Sequence, residues 1–388
     1  MQGLIGPLKE LAEFEELCKN KKKDVGMIRV CGCVNSQKSH MMYALGDGCK
    51  YKVIACSSET KAKQIYEEYR FLDSNTYLYP AKDFLFYQAD IRSKELVKQR
   101  MEGIQAVLSG EPVTVVTSLD GFMDHLAPKE SIAEKVLKIQ NDSVLKLDEM
   151  AEKLSVIGYD REVQVEGPGQ FAVRGGILDI YPLTEELPVR IELWGDEVDS
   201  IRTFDVESQR SIENLMDIVI YPAVEFPQNG EKGVSFLDYF PPEDTILFLD
   251  EPVRLVERGQ NIEDEFMEAQ KKRLESGYDL EEEEAKIFPV TEILKKINCY
   301  SSIGFYALEM KCKGLEVRES YEIQAKSVNP YNNSFEMLTQ DLKRLKRNGY
   351  RVILLSGSRT RAKRLAEDLR DYNLSSYYSE DLDREVKP

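Results

Sequence analysis

The 388-residue chain carries 52 Lys+Arg against 69 Asp+Glu, a net charge of −17 near neutral pH, with 42% hydrophobic and 31% charged residues. That is the profile of a globular protein of about two to three domains, and no apolar run approaches the roughly 20 residues of a membrane span. The acidic balance argues against free-standing nucleic-acid binding, which needs a basic surface to neutralise phosphates, although a basic patch on one domain stays open.

Residues 1–23 alternate apolar and charged positions as an amphipathic helix does and a signal peptide does not, so a cytoplasmic protein is expected. Within this stretch Leu8, Leu11, Phe14 and Leu17 recur at helical spacing, and residues 27–30 make a short apolar strand. A helix is predicted over 38–45, a strand over 53–56, a helix over 59–72, a strand over 76–79, a helix over 93–108 and a strand over 113–117. Strands spaced by helices imply βαβ units and a parallel sheet.

From about residue 131 the pattern changes. One helix over 146–157, stopped by Gly158, precedes strand-like runs at 161–165, 170–180, 189–194, 198–204 and 216–221. Gly167-Pro168-Gly169, residues 184–188 and Gly195-Asp196 break them. Closely spaced strands with polar turns indicate an antiparallel sheet, and hence an inserted α+β domain. Beyond Ala223 the α/β pattern returns, with a strand over 245–249 and an acidic helical stretch over 260–285 whose end, Glu281-Glu282-Glu283-Glu284, reads as a solvated face. A linker at 329–333 leads to a helix over 334–348, a strand over 351–356, a helix over 359–371 and a strand over 375–378. A lone strand–helix–strand piece cannot cover both faces of a sheet, so the chain is expected to be a fragment of something larger.

The seven cysteines, Cys18, Cys31, Cys33, Cys49, Cys56, Cys299 and Cys312, lack paired metal spacing, and reduced thiols on and around buried strands are expected. His40 and His125 are the only histidines, which argues against histidine-based catalysis. No cofactor is expected.

Gly32-Cys-Val-Asn-Ser-Gln37-Lys38-Ser39 stands between a predicted strand and helix, where a phosphate-binding loop belongs. The loop needs a second glycine so that backbone N–H groups turn in on the phosphates, and Gln37 occupies that place. A side chain forced there toward the left-handed region costs about 1–2 kcal/mol. Lys38 and Ser39 remain as phosphate and magnesium contacts in principle, and Asp250-Glu251, after the apolar run 246–249, stands where the magnesium-holding acid would. Its bland alternative is an ordinary strand end. Together the remnants imply a nucleotide fold that has lost its function, so that Lys38→Ala is expected to leave stability unchanged. The fold class is therefore α/β: a degenerate RecA-like parallel-sheet domain interrupted by an inserted α+β antiparallel domain, then a partial α/β segment. Boundaries are expected at 1–128, 129–212, 213–325 and 326–388. The rival is a nucleotide-binding or DNA-binding helicase fragment with residual ATP binding.

The most specific stretch is residues 167–210, which contain Gly-Pro-Gly-Gln-Phe-Ala-Val-Arg174-Gly-Gly-Ile-Leu-Asp179, then Arg190-Ile-Glu-Leu-Trp194-Gly-Asp-Glu, Arg202-Thr-Phe-Asp205 and Gln209-Arg210. It resembles the domain shared by the excision-repair protein UvrB and the bacterial transcription-repair coupling factors (Mfd). Residues 79–87 and 115–119 resemble the coupling factors more closely, and Gln37 and the short passage from Tyr87 to Lys94, with no room for a long DNA-clamping hairpin, separate the chain from UvrB. The resemblance implies a non-catalytic platform that binds UvrA, with partner-facing positions at Arg174, Arg190 and Trp194. It implies that RNA polymerase and DNA are engaged by regions beyond residue 388, where an ATP-dependent translocase motor lies. It also implies an intramolecular contact with a C-terminal domain that covers the UvrA-binding face.

The residues themselves leave two readings. Arg and Trp are enriched at interface hot spots, and strand alternation puts Arg190 and Trp194 on one face. Alternatively both arginines pair with Asp179, Asp196 or Asp199 and Trp194 packs in the core. Asp205 and Arg210, near a turn, are assigned to structure.

Overall fold

The computed structural model describes residues 2–21, 24–34, 36–82, 94–228, 230–277, 287–381 and 383–384. Its first segment runs α1 (Gln2–Ile5), α2 (Ala12–Asn20), β1 (Gly26–Cys31), α3 (Ser36–Leu45), β2 (Tyr51–Cys56) and α4 (Glu59–Tyr69). β3 (Thr76–Tyr79), α5 (Lys94–Leu108), β4 (Val113–Ser118), and the short α6 (Asp120–Met123) and α7 (Lys129–Glu134) follow. These are the alternating elements the spacing predicts, except that the first helix breaks at Leu11 behind a 3-10 turn (Gly6–Glu10).

The insertion comprises β5 (Leu137–Gln140), α8 (Leu147–Val156), β6 (Asp160–Arg161), β7 (Gln170–Arg174), β8 (Ile177–Tyr181), β9 (Val189–Trp194), β10 (Glu197–Phe204), β11 (Ser211–Leu215) and β12 (Asp217–Ile220). The chain returns through β13 (Thr245–Asp250), α9 (Pro252–Glu275), α10 (Val290–Ile297), β14 (Ser301–Tyr306) and β15 (Val317–Glu322), and continues into α11 (Phe335–Arg347) and α12 (Arg359–Asp371).

Seven parallel strands form the main sheet in the order β15-β1-β14-β13-β2-β4-β3. A parallel sheet must be covered on both faces, and its central strands accordingly read as unbroken apolar runs, as in Thr-Ile-Leu-Phe-Leu-Asp of β13, buried at every position. One face packs Phe14 and Leu17 of α2, Met41 and Leu45 of α3 and Ile65 of α4. The other packs Ile104 of α5, Phe122 of α6, Leu255 and Ile262 of α9 and Ile293 of α10. The fold is mixed α/β, with the expected parallel sheet and separate antiparallel sheets.

In the insertion six strands are ordered β11-β10-β9-β8-β7-β6, and β12 pairs with β5 in a separate two-stranded sheet. The predicted single strand 170–180 is a hairpin instead, because Gly175 turns at a φ of 59° and Gly176 completes a two-residue loop between the paired Arg174 and Ile177. The predicted 161–165 strand shrinks to β6. Alternation sorts the sheet cleanly. Phe171, Leu178, Ile180, Val189, Ile191, Val198 and Ile201 face α8 and form a separate core with Leu154 and Ile157, while the polar positions face away.

A buried ion network closes the neck of this insertion. Ala127 N donates to the Glu225 carbonyl across the entering and leaving segments at 2.8 Å. Arg100, wholly buried, donates through Nε to both oxygens of Glu225 (2.7 and 2.8 Å), through Nη2 to Asp124 (2.7 Å) and through Nη1 to the Pro80 carbonyl (2.8 Å). Lys82 pairs with the same two carboxylates at 3.0 and 3.2 Å, so two positive groups meet two negative ones. The Arg100 guanidinium also lies over the Tyr79 ring, 4.3 Å from its centroid.

Two sequence expectations fail at the C-terminus. Residues 351–356 and 375–378 form no strand and enter no ladder among the described residues. Ile353, Leu354 and Leu355 are left exposed, while Leu342, Leu369 and Leu374 hold α11 and α12 together. The long acidic helix begins earlier than predicted, at Pro252. The Glu281–Glu284 run and the passage from residue 83 to 93 lie outside the described residues. No described helix is long and apolar enough to cross a membrane. Of the cysteines, Cys33, Cys49 and Cys56 are buried and Cys299 is exposed.

Candidate partner-binding site

The nucleotide-site remnants come together, but around each other. The end of β1, the start of α3 and the end of β13 place Lys38 Nζ 2.7 Å from Asp250 Oδ1 and 2.7 Å from Glu251 Oε1. Burial works against the Lys38 ammonium, yet the two carboxylates outweigh it and raise its pKa above the ordinary lysine value. Ser39 Oγ donates to Glu68 at 2.8 Å, so the expected magnesium contact is also committed elsewhere.

The reason for the loop's departure differs from the one the sequence suggested. Gln37 is not forced into the left-handed region: it lies inside α3, its N–H donating to the Val34 carbonyl at 3.0 Å. Gly32, the expected first glycine of the loop, has a φ of 85°, and a Cβ there would collide with the Ile323 carbonyl oxygen. Close passage of the chain beyond β15 is enough to require glycine at that place. A cleft of about 380 Å³ beside Lys38 is lined by Ser58, Lys61, Arg254 and the same two acids.

This overturns the expected indifference to Lys38→Ala. Removing the ammonium leaves Asp250, 1% exposed, and Glu251 facing each other uncompensated. Lys38→Ala is expected to lower stability by about 3 kcal/mol, read from the shift of the urea midpoint. The charge-matched pair Lys38→Met with Asp250→Asn is expected to recover most of the loss.

On the insertion, the polar face of the sheet gathers the residues singled out from the motif. Antiparallel register sets Ala172 of β7 opposite Asp179 of β8, and Asp179 opposite Arg190 of β9. Directly paired residues share a face, so Arg174, Asp179, Arg190 and Trp194 all point to the side away from α8. Asp179 is buried and accepts three hydrogen bonds, from Arg174 Nη2 at 2.6 Å, Arg190 Nε at 2.7 Å and Arg190 Nη2 at 2.9 Å. Asp196 and Asp199, the other partners weighed, take no part in these bonds.

The two arginines differ in what remains of them. Arg190 is 14% exposed, bonded further to Gln209 Oε1 (2.9 Å) and to the Gln209 carbonyl (3.4 Å), with its guanidinium 4.5 Å from the Phe204 ring centroid. Arg174 is 46% exposed, with that single bond to Asp179. Trp194 is not core: it stands 84% exposed at the end of β9, beside the Gly195-Asp196 turn. Thus the salt-bridge alternative describes the arginines and fails for the tryptophan. Sequence reading missed Phe204 and Gln209 as supports, and Gln209 carries the signal of a backbone φ of 57° that no pattern of side chains reveals. Asp205 is structural as assigned, its carboxylate accepting from Ser208 N and Oγ at 2.8 and 2.7 Å.

The sheet that carries this face falls in residues 137–226, which match the UvrB interaction domain family. Over 95% of its length the chain is 25% identical to a transcription-repair-coupling factor of Bacillus subtilis, of which it spans 36%. The chain is similar to the transcription-repair-coupling factors along most of its length. A Staphylococcus epidermidis coupling factor is 38% identical over 40% of this chain and 13% of its own, and that of Haemophilus influenzae is 32% identical over 41% and 14%. The chain thus spans about a third of the length of the Bacillus relative, and carries the family's domain as its insertion.

Proposed function

We propose that this chain is the module of a coupling factor that recruits nucleotide excision repair by binding UvrA through the polar face of its inserted domain. The observation that carries this reading is the single tryptophan, Trp194, standing 84% exposed on the same sheet face as the half-exposed Arg174 within the matched domain. Trp and Arg are the side chains most enriched among the residues that anchor interfaces. In this reading RNA polymerase and DNA are engaged by the rest of a coupling factor's length, and the chain has no catalytic role of its own.

Support for the non-catalytic role is the Lys38–Asp250–Glu251 cluster, where a lysine already neutralises the acids that would hold magnesium. Calorimetry with ATP and magnesium is expected to show no binding; micromolar binding would favour the helicase-fragment reading. Co-purification of the chain with UvrA tests the main claim, and its loss in Trp194→Ala is the expected result.

A further inference from the structure

The exposed end of the insertion's sheet continues past Trp194 onto a residue outside the motif. Trp194 pairs with Glu197 across the β9–β10 turn, and Glu197 pairs in turn with Val144, in the connection between β5 and α8. Leu145 N donates to Asp196 O at 2.7 Å and Val198 N to Ser143 O at 2.9 Å, which makes Val144–Glu197 a close, non-hydrogen-bonded antiparallel pair. Trp194, Glu197 and Val144 therefore project from one face in a row, with the two apolar members two strand spacings apart, roughly 10 Å. The neighbours on either side, Leu145 and Val198, are buried against the opposite face, as alternation requires. Val144 is 79% exposed.

Resting on the reading of this face as the UvrA site, we propose that the contacting surface is the row Trp194, Glu197 and Val144 together with Arg174, two strands away on the same face, and that Arg190 is a positioning residue beneath it. Arg190 has its Nε and both Nη groups bonded to Asp179 and Gln209 and one face against Phe204, so it has little left to offer a partner. Its work is to compensate Asp179. Two arginines share that one buried carboxylate, and without Arg190 the exposed guanidinium of Arg174 is drawn down as its only counter-ion. The partner that fits this row presents an apolar ridge spanning Trp194 and Val144, an acidic group facing Arg174 and a basic group facing Glu197.

The test is titration of UvrA against the full chain and four variants, each checked for folding by circular dichroism. Val144→Asp is expected to weaken binding at least about tenfold, since a charge is placed in the apolar part of the contact. Arg190→Gln is expected to weaken it too, and the neutral pair Asp179→Asn with Arg190→Gln to return it to within about threefold of the native chain. Undiminished binding by Val144→Asp, or a double variant as weak as Arg190→Gln alone, overturns the proposal. Trp194→Ala separates the two readings: if it binds normally, the face itself is not the UvrA site.

Discussion

Glu225→Ala is expected to cost about 3–5 kcal/mol of stability, the largest single effect in the molecule, because it strips a buried network of half its negative charge. Arg100, with no exposed surface, and Lys82 would share Asp124 alone, and the carboxylate that receives two bonds from Arg100 Nε would be gone. The midpoint of thermal unfolding should fall by about 4–6 °C for a chain of this length. The network also sets a pH dependence. Burial opposes the Glu225 carboxylate, but Arg100 and Lys82 more than offset this and hold its pKa below the ordinary value of 4.5. A depressed folded pKa gives stability that is fully present above the unfolded value and is lost as pH falls through the folded one. Urea midpoints of the native chain should therefore drop below about pH 4.5 more steeply than those of Glu225→Gln, and equal slopes would contradict the assignment.

Trp194→Ala should weaken UvrA binding by about 2 kcal/mol or more, at least tenfold, with little effect on stability because the side chain is already 84% exposed. Arg174→Glu should weaken it further than Arg174→Ala, since it sets a like charge against an acidic partner surface. Raised salt should erode the Arg174 contribution and leave the Trp194 contribution nearly unchanged. Surface-plasmon titrations at two ionic strengths separate the two.

The parallel sheet was legible because its strands, buried on both faces, are unbroken apolar runs separated by helical periods, as in residues 53–56 and 245–249. The insertion was legible as antiparallel for the opposite reason, namely strict alternation. What the sequence hid depended on the third dimension. Strands β14 and β15 close the sheet around β1, yet β15 is a charged edge, Val-Arg-Glu-Ser-Tyr-Glu, whose composition gives no strand period. Residues 351–356 have strand composition and join no ladder. At the candidate site, residue type and spacing located Arg174, Arg190 and Trp194 but could not say which are spent on Asp179 and which face solvent. Lys38 shows the same limit: sequence motifs bring it to one site with Asp250 and Glu251 but do not say that the three are spent on one another, at 2.7 Å.

The most direct measurement is isothermal titration of UvrA into the native chain and into the double variant Arg174→Ala with Trp194→Ala, both shown to be folded. Saturable binding by the native chain and its loss in the double variant is the result expected of a UvrA-recruiting face. No binding by the native chain, or equal binding by the two, would contradict it.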